Sequence, residues 1–178
     1  GRTIITYGDV DAAFASAYHI REDHYETSST AHCALEPHAA VAHLDPSGKL
    51  HLWLSSMGIY YKRYVIAKVL KMPTSQIHVH KAYVGGAFGG KMDVYPYEIC
   101  AAVLSQKAGL PVKIELTRQE VFTTTRLRFP TYIDIKTAVS ADGRILVQHI
   151  RTVVNNGAYR GTGPVVIFLF HGWTAPVY

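Results

Sequence analysis

Gly85-Gly86-Ala87-Phe88-Gly89-Gly90-Lys91 places four glycines in seven positions, and the fold is read outward from this stretch. Upstream, residues 76–84 alternate apolar and polar side chains as a strand does. Downstream, Tyr97, Cys100, Ala101 and Leu104 recur at helical spacing, with Asp93 near the start and Gly109 placed as a C-terminal cap. A surface turn needs one or two glycines. Four of them between a strand and a helix bring backbone amides close to an anionic group.

The remaining sequence reads as α+β, with mixed and antiparallel sheets and interspersed helices. Residues 18–27, 32–44 and 49–54 are extended by composition, and Asp45-Pro46-Ser47-Gly48 supplies turn chemistry between the last two. Tyr61, Tyr64, Val65, Lys68 and Val69 lie along one helical face, and Pro73 closes that helix shortly after Met72. Residues 111–116 form a short buried strand and residues 118–125 a short helix. Residues 131–139 and 144–154 alternate around Asp142-Gly143, a hairpin signal.

The chain has 178 residues, of which 48% are hydrophobic and 17% charged, enough apolar surface for one folded domain. The net charge of +5 is spread without a block of like sign, so no nucleic-acid partner is indicated. The longest apolar run, residues 165–170, is far too short to span a bilayer. Cys33 and Cys100 stand alone in apolar surroundings and read as small core residues, with no disulfide and a reducing cytoplasm. The absence of an initial Met or a secretory leader, and an end without punctuation, point to a piece of a longer polypeptide.

Gly85, Gly90 and Lys91 also satisfy G-x-x-x-x-G-K, the phosphate-loop spacing. Met92 stands where such a loop needs a hydroxyl for magnesium, and Ile133-Asp134-Ile135 is too polar in its alternation to be the second magnesium strand. Among ten histidines, His78 and His80 share a strand face at a spacing used by zinc sites. Ile77 and Val79 face the other way, however, so the pair reads as the solvent side of a half-buried strand; His32, His38 and His43 complete no ligand set, and no protein-ligated metal is assigned. Glu36 beside Pro37 reads as a paired structural carboxylate, or else as an acid or base with a raised pKa. Glu98 faces solvent or a partner subunit. No nucleophile elbow is present.

Val84-Gly85-Gly86-Ala87-Phe88-Gly89-Gly90-Lys91 resembles the glycine signature of the xanthine oxidase family of molybdenum hydroxylases, in its molybdopterin-binding large subunit. Further similar segments follow in the family's order: Glu36-Pro37-His38, Ala67-Lys68-Val69-Leu70-Lys71-Met72-Pro73, Pro111-Val112-Lys113, Thr117-Arg118-Gln119-Glu120, Asp142-Gly143-Arg144-Ile145 and Gly157-Ala158-Tyr159. Within the family, Arg21-Glu22-Asp23-His24-Tyr25-Glu26-Thr27, Glu36-Pro37-His38 and Gly90-Lys91-Met92 look most like the 4-hydroxybenzoyl-CoA reductase branch.

The resemblance implies that residues 1–178 are an N-terminal portion of the molybdopterin-binding domain, with 1–14 a linker from a preceding domain. It implies a molybdenum-bearing molybdopterin in its cytosine dinucleotide form, with [2Fe-2S] and FAD on partner subunits or domains, assembled as a homodimer of heterotrimers. The activity implied is hydroxylation, or reductive dehydroxylation, of an aromatic, heterocyclic, aldehyde or aryl-CoA substrate. Carried over by position, Gly86, Ala87, Phe88 and Gly89 lie beside the cofactor. Met57 stands where many members have a Gln that approaches an oxo ligand, a hydrogen bond methionine cannot donate unless Ser56 substitutes. Met92 replaces the Glu of purine-oxidising members and suits an apolar or aromatic substrate wall, or core packing. No catalytic residue is assigned within the chain: the base is expected beyond Tyr178, and Arg160-Gly161-Thr162-Gly163 only imitates a later motif. The alternatives are an inactive cofactor-binding or assembly module and, third, a phosphate-loop nucleotide-binding protein.

Overall fold

A computed structural model describes residues 3–159 and 161–173; residues 1–2, Arg160 and residues 174–178 lie outside the described residues. In chain order the elements are α1 (Val10–Ala15), β1 (His19–Thr27), β2 (Ala39–Leu44), β3 (Leu50–Leu54), α2 (Ile59–Leu70), a 3-10 turn (Thr74–Gln76), β4 (Ile77–Lys81), α3 (Pro96–Ala108), β5 (Val112–Glu115), α4 (Arg118–Thr124), β6 (Thr131–Val139), β7 (Ile145–Val154) and α5 (Gly163–Trp173). The α+β expectation holds. The chain forms two compact units, one from residues 31–128 and one from residues 1–30 with 129–178.

In the discontinuous unit, β1, β6 and β7 form an antiparallel sheet in that order. β1 pairs with β6 from His19↔Val139 to Thr27↔Thr131. The β6–β7 hairpin turns at Asp142-Gly143 as its sequence requires, with Gly143 at φ 83°. α1 falls inside the segment expected to be linker, because Asp9 accepts the Ala12 amide as an N-cap.

The central unit holds the hydrophobic core. Its sheet runs β4-β3-β2-β5, antiparallel except for the parallel β3–β4 pair. The β3–α2–β4 crossover is what a parallel pair needs. Leu50, Leu52, Leu54, Ala40, Ala42, Ile77 and Val79 are buried together with Ile66 and Ala67 of α2 and Ala101 and Ala102 of α3. Asp45 fixes the β2–β3 hairpin, its carboxylate accepting from the Ser47 and Lys49 amides and the Ser47 hydroxyl.

Several expectations are corrected. Residues 32–38 are irregular, since Cys33 sits at φ 50° and the side chains of Glu36 and His38 serve a neighbouring loop. The strand expected over 76–84 ends at Lys81. On α2 the buried row is Lys62, Ile66 and Ala67, while Tyr61, Tyr64 and Val69 face out. On α3 the buried row is Tyr97, Glu98, Ala101, Ala102 and Ser105, leaving Cys100 and Leu104 exposed. Cys33 is exposed as well, so neither cysteine is a core residue. Glu98 meets neither solvent nor a partner: it is fully buried against Lys62. The short strand expected over 111–116 is β5, half-buried at the sheet edge.

α4 begins with a reciprocal capping box, in which the Thr117 hydroxyl accepts the Glu120 amide (3.2 Å) and the Glu120 carboxylate accepts the Thr117 amide (2.7 Å). Thr117→Ala is expected to lower stability by about 1 kcal/mol, read from denaturant midpoints.

Candidate functional site

The glycine loop follows β4 and precedes α3, and its shape is set by left-handed backbone. Gly86, Phe88 and Gly89 have φ of 96°, 50° and 90°, and the Gly90 amide closes a turn on the Ala87 carbonyl at 2.7 Å. Positive φ at both central residues is the mirror-image turn that favours glycine. Phe88 carries a strain cost there and exposes its ring to 65%. Among the described residues, the amides of Gly86, Ala87, Phe88 and Gly89 donate to no protein acceptor. They form a row of unengaged donors on a glycine-lined backbone.

Glu36 clamps the loop from outside. Its carboxylate accepts from the Gly85 amide, the Ser55 hydroxyl (3.0 Å) and the Lys91 ammonium (3.0 Å), and its own amide donates to the Gly85 carbonyl (3.2 Å). A Cβ on Gly85 would sit 2.7 Å from Glu36 Cβ, so only glycine allows this approach. Partial burial pushes the Glu36 carboxyl up, but the Gly85, Lys91 and Ser55 donors outweigh it and hold it below its usual range.

The far end of the loop is fixed through the Gly90 carbonyl, which accepts from the Tyr95 hydroxyl (2.5 Å) and from His38 Nε2 (3.0 Å). Burial, aided by the Asp93 charge, pushes the Tyr95 phenol up to about 12, so it stays a donor. Burial lowers the His38 imidazole, opposed by its bond to Gly90. The neutral ring donates through Nε2 and leaves Nδ1 a buried acceptor with no partner among the described residues. Arg118 Nη2 donates to the carbonyls of Ala34 (2.6 Å) and Leu35 (2.9 Å), while its buried Nη1 has no partner among the described residues. Ala34, His38, Ala87 and Arg118 line one small cleft.

Met57 and Met92 come together at the same loop's exit. The Met57 amide donates to the Lys91 carbonyl (3.3 Å), and a Cβ on Gly58 would lie 2.8 Å from Met92 Sδ. The Met57 side chain is 50% exposed and Met92 is half-buried. The Ser56 hydroxyl accepts the Gly58 amide at 3.0 Å.

Lys91 decides against a phosphate loop. Its ammonium is fully buried on the Glu36 carboxylate and carbonyl, and α3 begins five residues later, so no helix N-terminus is presented at the lysine.

The profile of the molybdopterin cofactor-binding domain family matches residues 2–178. The chain belongs to that family. It is 36% identical over 163 residues to the nicotinate dehydrogenase large molybdopterin subunit of Eubacterium barkeri, covering 92% of this chain and 38% of that protein. It is 30% identical over 162 residues to the xanthine dehydrogenase molybdenum-binding subunit of Escherichia coli, covering 91% and 22%. Aldehyde oxidoreductase from Desulfovibrio gigas superposes with a TM-score of 0.83 at 27% identity, over 89% of this chain and 17% of that one. This molybdopterin-binding chain therefore spans between about a fifth and two fifths of the curated relatives it matches, and it corresponds to part of a xanthine oxidase family large subunit. The site fits the group: unengaged amides, the spare Arg118 donor and the spare His38 acceptor suit an oxygen-rich, heterocyclic ligand. Among the described residues no helix is long and apolar enough to cross a membrane.

The sequence groups Gly86, Ala87, Phe88 and Gly89 in one loop but does not single out the residues that shape it. Arg118 and His38 lie in the segments Thr117-Arg118-Gln119-Glu120 and Glu36-Pro37-His38 that carry the resemblance, which was the one signal pointing to them.

Proposed function

We propose that this chain forms one wall of the molybdenum site in an oxidoreductase that hydroxylates, or reductively dehydroxylates, an aromatic, heterocyclic, aldehyde or aryl-CoA substrate. The observation that carries this reading is the Gly86–Gly89 turn with its left-handed residues, whose amides have no acceptor among the described residues. The molybdenum cofactor, when bound, supplies two-electron redox chemistry at carbon.

The chain's own part is orientation. The Gly86, Ala87, Phe88 and Gly89 amides are donors fixed before the ligand arrives, so no reorganisation is needed when they bind it. Glu36 holds them in place and, with its oxygens engaged by Ser55, Gly85 and Lys91, is not free to act as a base; that role is assigned beyond Tyr178. Met92 supplies apolar surface for a flat substrate. The relatives' names support heterocycles and aldehydes as the substrate class. The cytosine dinucleotide form of the cofactor, iron–sulfur and FAD subunits, a homodimer of heterotrimers and a cytoplasmic location belong to the same proposal.

The deciding experiment is the molybdenum and oxidised-pterin content of the full-length protein, matured in a molybdenum-replete host with its partners. Stoichiometric molybdenum with pterin supports the reading; soluble protein lacking both overturns it. Met57→Gln restores an amide donor at a position whose backbone Lys91 already fixes. Turnover per molybdenum is expected to rise about tenfold, whereas unchanged or lower turnover at equal loading removes Met57 from the site.

A further inference from the structure

The sheet face opposite α2 and α3 carries an imidazole cluster. In the parallel β3–β4 pair His51 lies opposite His78 and Trp53 opposite His80, while Leu50, Leu52, Ile77 and Val79 point into the core. His51 Nδ1 is 2.9 Å from His80 Nε2, and the His78 and His80 rings stack at 4.1 Å. One nitrogen from each of the three rings lies within 4.8 Å of the others. The sequence shows only the His78, His80 half of this set, because His51 joins it through a parallel pairing that alternation does not reveal.

The set is also supported from behind. Asp45 Oδ2 is 3.2 Å from His51 Nε2, which fixes that nitrogen as the donor and leaves Nδ1 as the lone pair facing His80. Asp45 is itself held by the Ser47 and Lys49 amides, and Trp53 stacks flat on His80 at 4.4 Å. Two rings are thus held, and the third, His78, stacks on His80 from the exposed side.

We propose that His51, His78 and His80 form a binding site for a borderline divalent transition metal, with Asp45 as the orienting carboxylate and a fourth position open to water. Neutral imidazoles select zinc, nickel or copper over magnesium and calcium. Tetrahedral zinc with Zn–N of 2.0–2.1 Å needs nitrogens about 3.3 Å apart; the three nitrogens lie within 4.8 Å of one another, and the stacked His78 ring must turn out of its stack on His80 to share an ion. The site shares no residue with the glycine loop, and its metal is not the molybdenum.

The test uses the full-length protein with its partners, dialysed against Zn²⁺ and then against metal-free buffer. Zinc is measured by elemental analysis and its ligands by absorption at the zinc K-edge. Retained zinc with nitrogen donors at 2.0–2.1 Å, lost in His78→Gln and bound about tenfold more weakly in Asp45→Asn, is the expected result. His78 is exposed, so its replacement leaves the core intact. Zinc content equal in the parent and in the His51→Gln/His78→Gln double variant, or an edge spectrum without imidazole, overturns the proposal.

Discussion

Replacing Lys62 with methionine is expected to destabilise the central unit by about 3–5 kcal/mol, the cost of leaving a buried carboxylate without its counter-charge. Lys62 and Glu98 are both fully buried, joined by a short ammonium–carboxylate hydrogen bond across α2 and α3. From the first turn of α3, Glu98 also reaches back to the N-cap residue, accepting the Tyr95 amide at 3.1 Å, and it takes the Tyr97 hydroxyl at 3.2 Å. Burial pushes Glu98 up and Lys62 down, each opposed by the other's charge. Without Lys62 the Glu98 carboxyl rises further, so the folded variant takes up a proton at a pH where the unfolded chain does not. Its deficit is therefore largest at neutral pH and shrinks as pH falls toward the ordinary value of 4.5. Lys62→Met/Glu98→Leu removes both charges and should lie within about 2 kcal/mol of the parent. Urea titrations of the three proteins across pH test this. A single variant as stable as the parent would show that the pair is not buried in solution.

The second large effect is expected at Glu36. Glu36→Ala removes the acceptor shared by Gly85, Ser55 and Lys91 and leaves Lys91 with only the Glu36 carbonyl. The cost is about 2 kcal/mol, less than for the fully enclosed pair because a third of the Glu36 side chain is exposed. Cofactor retention is expected to fall with it, since the clamp holds the amide row; molybdenum per folded chain measures this. The carboxyl shift is opposite to that of Glu98, yet the deficit again fades in acid. The folded Glu36 carboxyl lies below its ordinary value of 4.5, so its contribution is full above that pH and disappears as pH falls through the folded value. The gap in melting temperature between parent and Glu36→Ala should thus be constant near neutrality and close in acid. A gap that widened in acid would mean the carboxylate is not the clamp.

These two ion pairs also mark where the sequence could and could not be read. The Asp45–Gly48 and Asp142-Gly143 hairpins, the Gly109 cap and the glycine loop were legible because each is a local signal, complete within a few residues. Lys62 was not, since a lysine between Tyr61 and Arg63 on a helix reads as a solvated side chain until a partner 36 positions away is known to be buried with it. The exposed Tyr61, Tyr64 and Val69 misled for the converse reason: tyrosine has apolar bulk but keeps its hydroxyl in water. His51 joined His78 and His80 only through parallel strand pairing, which alternation leaves undetermined. The division into two compact units is not legible either, because hydrophobic content measures how much core a chain can build, not how many times the chain leaves it.

The discontinuous unit has a consequence for synthesis. β1 is made before the other strands of its sheet, and its pairing partner β6 begins at Thr131, after the whole of residues 31–128. The central unit is contiguous and can form while β1 waits with both of its edges open. A waiting strand invites pairing with another nascent chain. This one carries Arg21, Glu22, Asp23, His24 and Glu26 within nine residues, charges of both signs that make a stranger's backbone a poor match. The polar composition of β1 protects the chain during the interval before residue 139 is made and the sheet can close.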